Sequence, residues 1–191
     1  MLRLFVGLDL PWGLKARLAT LAGGLPGARW VAAESLHLTL RFIGDAAPHQ
    51  ADEIDHALAG VQARGFRLRL QGLGLHHRNG RPTTLWTGAE RTPPLAHLQA
   101  KVETALQRAG LPAERRRFAP HVTLARLDPG ISEARLVAYL QAHNLYLAEA
   151  AEIDHFVLFS SLRGKERAVY TGEVLYPLAP APAAPDRAAP S

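Results

Sequence analysis

The chain contains no cysteine. That absence excludes disulfides, cysteine nucleophiles and thiolate metal sites. No apolar run approaches the ~20 residues that a membrane-spanning helix needs. The opening stretch MLRLFVGLDLP is apolar but short, Asp9 interrupts it and Pro11 ends it. No small-residue cleavage site follows, so a buried first strand is expected there and not a signal peptide. Without a targeting signal, the expected compartment is the cytoplasm. Lysine is scarce, standing only at 15, 101 and 165. None of the three sits where an adenylated intermediate would form, and no G-x-x-x-x-G-K-[ST] stretch is present. ATP-driven ligation and P-loop nucleotide binding are therefore not expected.

What is present points to a globular, basic protein. The 191 residues fit one domain or a tight two-lobed unit, and 48% of them are hydrophobic. Net charge is +5 with histidine neutral, and arginine supplies almost all of the positive side chains. A basic surface attracts polyanions, nucleic acid included, and the arginine fork suits bidentate phosphate contacts. Codon bias in a GC-rich genome accounts for the same arginine excess. The densest cluster is RRR at 115–117.

Short strand-like runs alternate with helix-like runs. RLFVGLDL (3–10) reads as a strand, and WGLKARLATLAGG follows with Leu14, Leu18 and Leu21 at helical spacing. SLHLTLRFIG is a second strand. PHQADEIDHALAGVQARG is a helix opened by Pro48 and closed near Gly65. FRLRLQGLGL alternates apolar and polar residues, as a half-buried strand does, with RPTTLWTGA as its hairpin partner and HHRNGRP as the turn. The second half repeats the scheme. Helix 93–110 leads to strand HVTLARL (121–127), then to helix 131–144 with Ser132 as N-cap, then to EIDHFVLFSSL and AVYTGEVLYPL as a closing pair of strands. The pattern is α+β. Residues 1–178 form one bilobal unit, and the Pro/Ala-rich stretch 179–191 is expected to be a disordered tail.

The two halves share one device. LHLTLRFIG and PHVTLARLD both contain His-x-Thr-Leu, with the histidines 84 positions apart. Residues two apart on a strand face the same way, so His37 and Thr39 share a face and Leu36, Leu38 and Leu40 share the other. The same alternation pairs His121 with Thr123 against Val122 and Leu124. Two pseudo-symmetric lobes would bring two imidazoles and two hydroxyls to one cleft. Such a set suits phosphodiester cleavage. One neutral imidazole takes a proton from the attacking oxygen, and one imidazolium gives a proton to the leaving oxygen. The threonine hydroxyls donate to the non-bridging phosphate oxygens. This scheme uses no metal and no cofactor. It does not say which histidine is acid and which is base. A single His-x-Thr-Leu arises often by chance; two copies in matching places do not.

RWVAAESLHLTLRFIGD (29–45) and FAPHVTLARL (118–127) resemble the two signature motifs of the 2H phosphoesterase superfamily. The branch they resemble is the RNA 2′,3′-cyclic phosphodiesterases, also called the 2′-5′ RNA ligase family. RLFVGLDLP, LGLHHRNGRPTTLWTG and the closing strands extend the resemblance over about residues 1–178. It implies antiparallel sheets lining a central cleft, with helices outside. It also implies hydrolysis of RNA 2′,3′-cyclic phosphate ends to 2′-phosphate ends, without metal or ATP, with joining or cleavage of 2′-5′ linkages as related chemistry. The expected partner is RNA with such an end, tRNA fragments among them, and the expected state is a monomer. Carried over by motif position, His37 is the proton donor and His121 the proton acceptor, and Thr39 and Thr123 hold the phosphate. Arg126 closes the second motif as a family-typical residue. Strict alternation sends it to the opposite face unless a bulge turns it. Alternation puts Arg41 on the His37 face, as a second candidate phosphate contact. His76 stands where the family usually has an aromatic residue, which weakens a base-stacking role there.

Other residues carry less. Adjacent His76 and His77 would point to opposite faces, so a turn is expected there and not a metal site. Trp30, Phe42, Trp86, Phe118 and Phe156 read as core, and Tyr170 as core or as a stacking residue at the cleft rim. Rival readings are a related enzyme acting on a 2′-5′ oligonucleotide, a small cyclic nucleotide or an ADP-ribose cyclic phosphate, and a non-catalytic RNA-end binding module.

Overall fold

A computed structural model describes residues 2–163 and 168–181. Strand β1 (Leu2–Asp9) leads into helix α1 (Trp12–Ala19) and a short strand β2 (Ala28–Trp30). A one-turn 3-10 segment (Ala33–Ser35) then introduces β3 (His37–Ala46), followed by α2 (Pro48–Ala59). The hairpin of β5 (Leu70–Arg78) and β6 (Arg81–Ala89) comes after a short β4 (Phe66–Leu68). Helix α3 (Pro93–Arg108), β7 (His121–Leu127) and α4 (Glu133–Ala142) build the second half, and β8 (Ala151–Ile153), β9 (His155–Arg163) and β10 (Ala168–Pro177) close the chain.

The helices form because their apolar residues fall on one stripe. Leu95, Leu98, Val102 and Leu106 of α3 are spaced three, four and four apart, and all are buried. Pro93 opens that helix where a missing N–H costs nothing. In α4 the Ser132 hydroxyl accepts a hydrogen bond from the Arg135 N–H, so the expected N-cap is present. Helix α2 stops at Gly60, five residues before the expected Gly65.

Eight strands form one antiparallel sheet in the order β10-β9-β1-β3-β7-β6-β5, with β2 along β7 beside β3, and β4 pairs with β8 in a separate two-stranded sheet. The two expected lobes share the larger sheet. The halves meet where Leu38 pairs with Val122, the residues between histidine and threonine in the two motifs. The local dyad runs through this pair. Leu36, Leu38, Leu40, Val122 and Leu124 lie on the helix-covered face and join a single core with residues of α1 to α4. Fully burying each such side chain contributes about 1.5–3 kcal/mol. A smaller cluster of Phe5, Val157 and Phe159 sits apart from that core.

FRLRLQGLGL is two strands, because β4 pairs with β8 while β5 pairs with β6. EIDHFVLFSSL is likewise split, into β8 and β9, at Asp154. Only Asn79 and Gly80 make the β5–β6 turn, both with positive φ (51° and 75°), as a two-residue type I′ turn requires. His76 and His77 therefore lie in β5, not in a turn. At the expected tail boundary, Leu178 is buried, and Ala179 exchanges backbone hydrogen bonds with Ala63 and Gly65. Ala179 thus belongs to the folded unit; the tail expectation for 182–191 falls outside the described residues.

Candidate active site

Both motif histidines begin a strand, and both are fixed in the same way. His37 Nδ1 lies 2.8 Å from the Ser35 carbonyl, and His121 Nδ1 lies 2.8 Å from the Ala119 carbonyl. A carbonyl only accepts, so Nδ1 carries the hydrogen in each ring. In the neutral form the lone pair is then on Nε2, the edge away from the backbone. Around the Leu38/Val122 pair, the antiparallel direction puts His37 on the same side as Thr123, and Thr39 on the same side as His121.

The supports of the two anchors differ. The 3-10 turn carrying Ser35 is held by buried Lys15, whose Nζ donates to the Glu34 carbonyl (3.2 Å) and to Asp9 Oδ1 (2.6 Å). Asp9 is in turn the cross-strand partner of His37. On the other side, the Pro120 carbonyl accepts from the Ala89 N–H (3.0 Å) and docks the turn onto β6.

Each motif strand also carries a bulge three residues after its histidine. Between β1 and β3, Gly7 pairs with Thr39 but Val6 pairs with Arg41, so Leu40 is the extra residue. Between β6 and β7, Trp86 pairs with Thr123 but Leu85 pairs with Ala125, so Leu124 is the extra residue. A bulge inverts the alternation beyond it. This brings Arg126 onto the His121/Thr123 face, where it is exposed. The same inversion corrects the expectation for Arg41. Its guanidinium is buried on the helix side, bonded to Glu103 (2.6 Å) and to the Pro112 (2.6 Å) and Phe42 carbonyls. It does not reach the histidine face. Phe42 takes the place on that face and is 62% exposed, so it is not core.

The walls around the two imidazoles differ in chemistry. The His37 ring packs on Phe5 (4.7 Å between centroids) and Phe159 (5.7 Å), which stack on each other at 4.9 Å. Burial holds the His37 pKa below its ordinary value; the Ser35 carbonyl opposes this, the Lys15 charge adds to it, Asp9 opposes it, and His121 adds to it. The His121 ring meets His76 edge-on at 4.8 Å and Trp86 at 5.8 Å. Burial lowers the His76 pKa as well, with the charges of His121 and His77 acting in the same direction. The Trp86 indole lies flat over Gly74, where even a Cβ would meet its ring at 2.2 Å. Its Nε1–H is buried and has no acceptor among the described residues.

The sequence matches the model of the 2′-5′ RNA ligase superfamily over residues 13–165, which span both motifs. The chain belongs to that superfamily. The relatives include an RNA 2′,3′-cyclic phosphodiesterase of Aeropyrum pernix, 33% identical over 138 residues, covering 72% of this chain and 78% of the relative. One of Escherichia coli K12 is 30% identical over 128 residues, covering 65% and 71%. Among solved structures, E. coli LigT complexed with 3′-AMP is similar, with a TM-score of 0.75 and 25% identity over 93% of this chain and 98% of that one.

In this member of the 2′-5′ RNA ligase superfamily, His37, Thr39, His121, Thr123 and Arg126 lie on one face of the sheet and Arg41 lies on the other. The Lys15–Asp9 brace, the phenylalanine wall and Trp86 were not foreseen, and His76 was weighed only as a weak base-stacking position. Trp86 alternates with Leu85 and Thr87, whose full burial in the structure leaves it on the other face. The side chain of Tyr170 lies outside the described residues. Among the described residues, no group of three or more His, Asp or Glu side chains is arranged to hold a metal, and no helix is long and apolar enough to cross a membrane.

Proposed function

We propose that this chain hydrolyses 2′,3′-cyclic phosphate ends of RNA, tRNA fragments among them, to 2′-phosphate ends. The observation that carries this reading is the pair of histidines with matching Nδ1–carbonyl anchors, set about one dyad on a face that also holds two threonines and an arginine. Its family relatives are RNA 2′,3′-cyclic phosphodiesterases, which supports the substrate.

In the proposed reaction, His121 Nε2 takes a proton from water as the water oxygen bonds to phosphorus. The bond from phosphorus to the 3′ oxygen breaks, and His37 gives that oxygen its proton. The phosphate stays on the 2′ oxygen. Thr39, Thr123 and Arg126 donate to the non-bridging oxygens as charge builds. The aromatic wall suits His37 to the donor role, because a lowered pKa makes the imidazolium a stronger acid, and the bound phosphate anion favours its protonation.

His37→Ala and His121→Ala should each lower kcat by about 10²–10⁴-fold, with only a modest change in binding of the 2′-phosphate product. Wild-type rates in both variants would overturn the reading, and a binding module would survive.

The opposite assignment of roles has one observation in its favour: burial favours the neutral form of His37, the form a base needs. A substrate with sulfur at the 3′ bridging position decides between them, since a thiolate leaves without a proton. Recovery of His37→Ala alone on that substrate makes His37 the donor; recovery of His121→Ala alone reverses the roles.

A further inference from the structure

Beyond the Leu124 bulge, four residues on four adjacent strands stand directly opposite one another. Arg29 of β2 pairs with Arg126 of β7, Arg126 with Thr84 of β6, and Thr84 with His76 of β5. Cross-strand partners project from the same face, so all four lie on the histidine side of the sheet. The ring contacts of His76 with His121 and Trp86 place that end of the row beside the catalytic imidazole. Arg29 lies at the other end, one strand spacing beyond Arg126, or about 4.8 Å.

Two arginines directly opposite on neighbouring strands repel each other. Neither is buried, and Arg126 has no ion-pair partner among the described residues. Asp128 lies 2.9 Å from Arg29 Nε and takes that edge of the guanidinium, which offsets one charge and aims the fork. Asp128 is the only ion-pair partner of Arg29 among the described residues. A terminal cyclic phosphate carries one anionic group, and Thr39, Thr123 and Arg126 suffice for it. A second arginine one step further from His121 calls for a second anion on the same ligand.

We infer that Arg29, beside Arg126, forms a subsite for the next phosphodiester of the RNA chain, the one on the 5′ side of the terminal nucleoside. The inference rests on the proposed reaction and narrows its substrate to an oligonucleotide rather than a cyclic mononucleotide. The row itself came from chain crossing. Arg29 is a first-half residue that β2 lays along a second-half strand, where no sequence spacing would put it.

The test uses two substrates at one fixed salt concentration: a 2′,3′-cyclic mononucleotide and a tetraribonucleotide with the same end. Arg29→Ala should lower kcat/KM on the tetranucleotide about tenfold more than on the mononucleotide, as expected for one exposed charge-assisted contact. The log–log salt dependence of tetranucleotide binding should lose about 0.7 in slope. Arg29→Lys should recover part of the loss. A neutral methylphosphonate at the first internucleotide linkage should abolish the difference between wild type and Arg29→Ala. Equal losses on both substrates, or a loss that persists with the neutral linkage, would overturn the subsite. If the wild type hydrolyses neither substrate, the proposed reaction fails. The subsite then stands or falls by whether Arg29→Ala weakens binding of a tetranucleotide with a 2′-phosphate end.

Discussion

The two motif strands run the same backbone program with different side chains. In β3 and β7 alike, histidine and threonine share one face of the sheet, the inserted leucine and the residue after it face the core, and the next side chain returns to the histidine face. At the buried position after the bulge the first strand has Arg41 and the second has Ala125. At the returning position the first has Phe42 and the second Arg126. Around its histidine the first lobe places Phe5 and Phe159, and the second His76 and Trp86. The backbone therefore sets where the motif histidines and threonines stand, while the side chains give one wall its aromatic character and the other its basic one. A near-symmetric frame can thus hold two like imidazoles in unlike environments, which acid–base chemistry needs.

Making the first strand like the second should have its largest effect at Arg41. Arg41→Ala removes the partner of Glu103, whose carboxylate is pushed up by burial and held below its ordinary range by Gln107, the Glu114 N–H and Arg41. Breaking a buried pair from one side costs about 3–5 kcal/mol, so chemical denaturation should show a loss near the lower end. A loss under about 0.5 kcal/mol would mean that the network does not hold the bulge.

The returning position comes next. Arg126→Ala should lower kcat/KM by about 10²-fold, in the range seen for a donor to developing charge, while Phe42→Ala should change it by less than about tenfold. Equal effects would erase the distinction between a basic and an aromatic wall.

The smallest effect concerns pH. The folded pKa of His37 lies below its unfolded value of about 6.5, so the unfolded chain binds more protons in the window between the two. The protein should lose stability as pH falls from about 6.5 towards the folded pKa, and stop losing it from this source below that. His37→Gln should flatten that part of a stability–pH curve measured by urea unfolding. An unchanged slope would remove the environmental difference between the histidines.

Period-two alternation placed His37, Thr39, His121 and Thr123 correctly because the strand is regular over those residues. It failed one step later, at Arg41 and Phe42, and would have failed at Arg126. A bulge at a leucine carries no glycine or other mark in the sequence. His76 was misplaced because the turn chemistry of NGRP extends over four residues, while the type I′ geometry uses only Asn79 and Gly80. The Lys15–Asp9 brace joins a helix to a strand end through a tertiary contact that no local pattern encodes. The α+β class, the two pseudo-symmetric halves and the helix stripes were legible, since burial periodicity carries them. The joining of the halves into one sheet was not, because it depends on a single pair of residues.

The matched carbonyl anchors have a further consequence. Each ring keeps the same hydrogen on Nδ1 throughout and exchanges only the one on Nε2. Under the proposed roles, a turnover leaves His121 charged and His37 neutral, the mirror image of the starting state. Until a proton is traded with solvent, the site is poised to run its own reaction backwards and reclose the ring. The pair thus retains a one-bit memory of the last direction taken, which solvent erases.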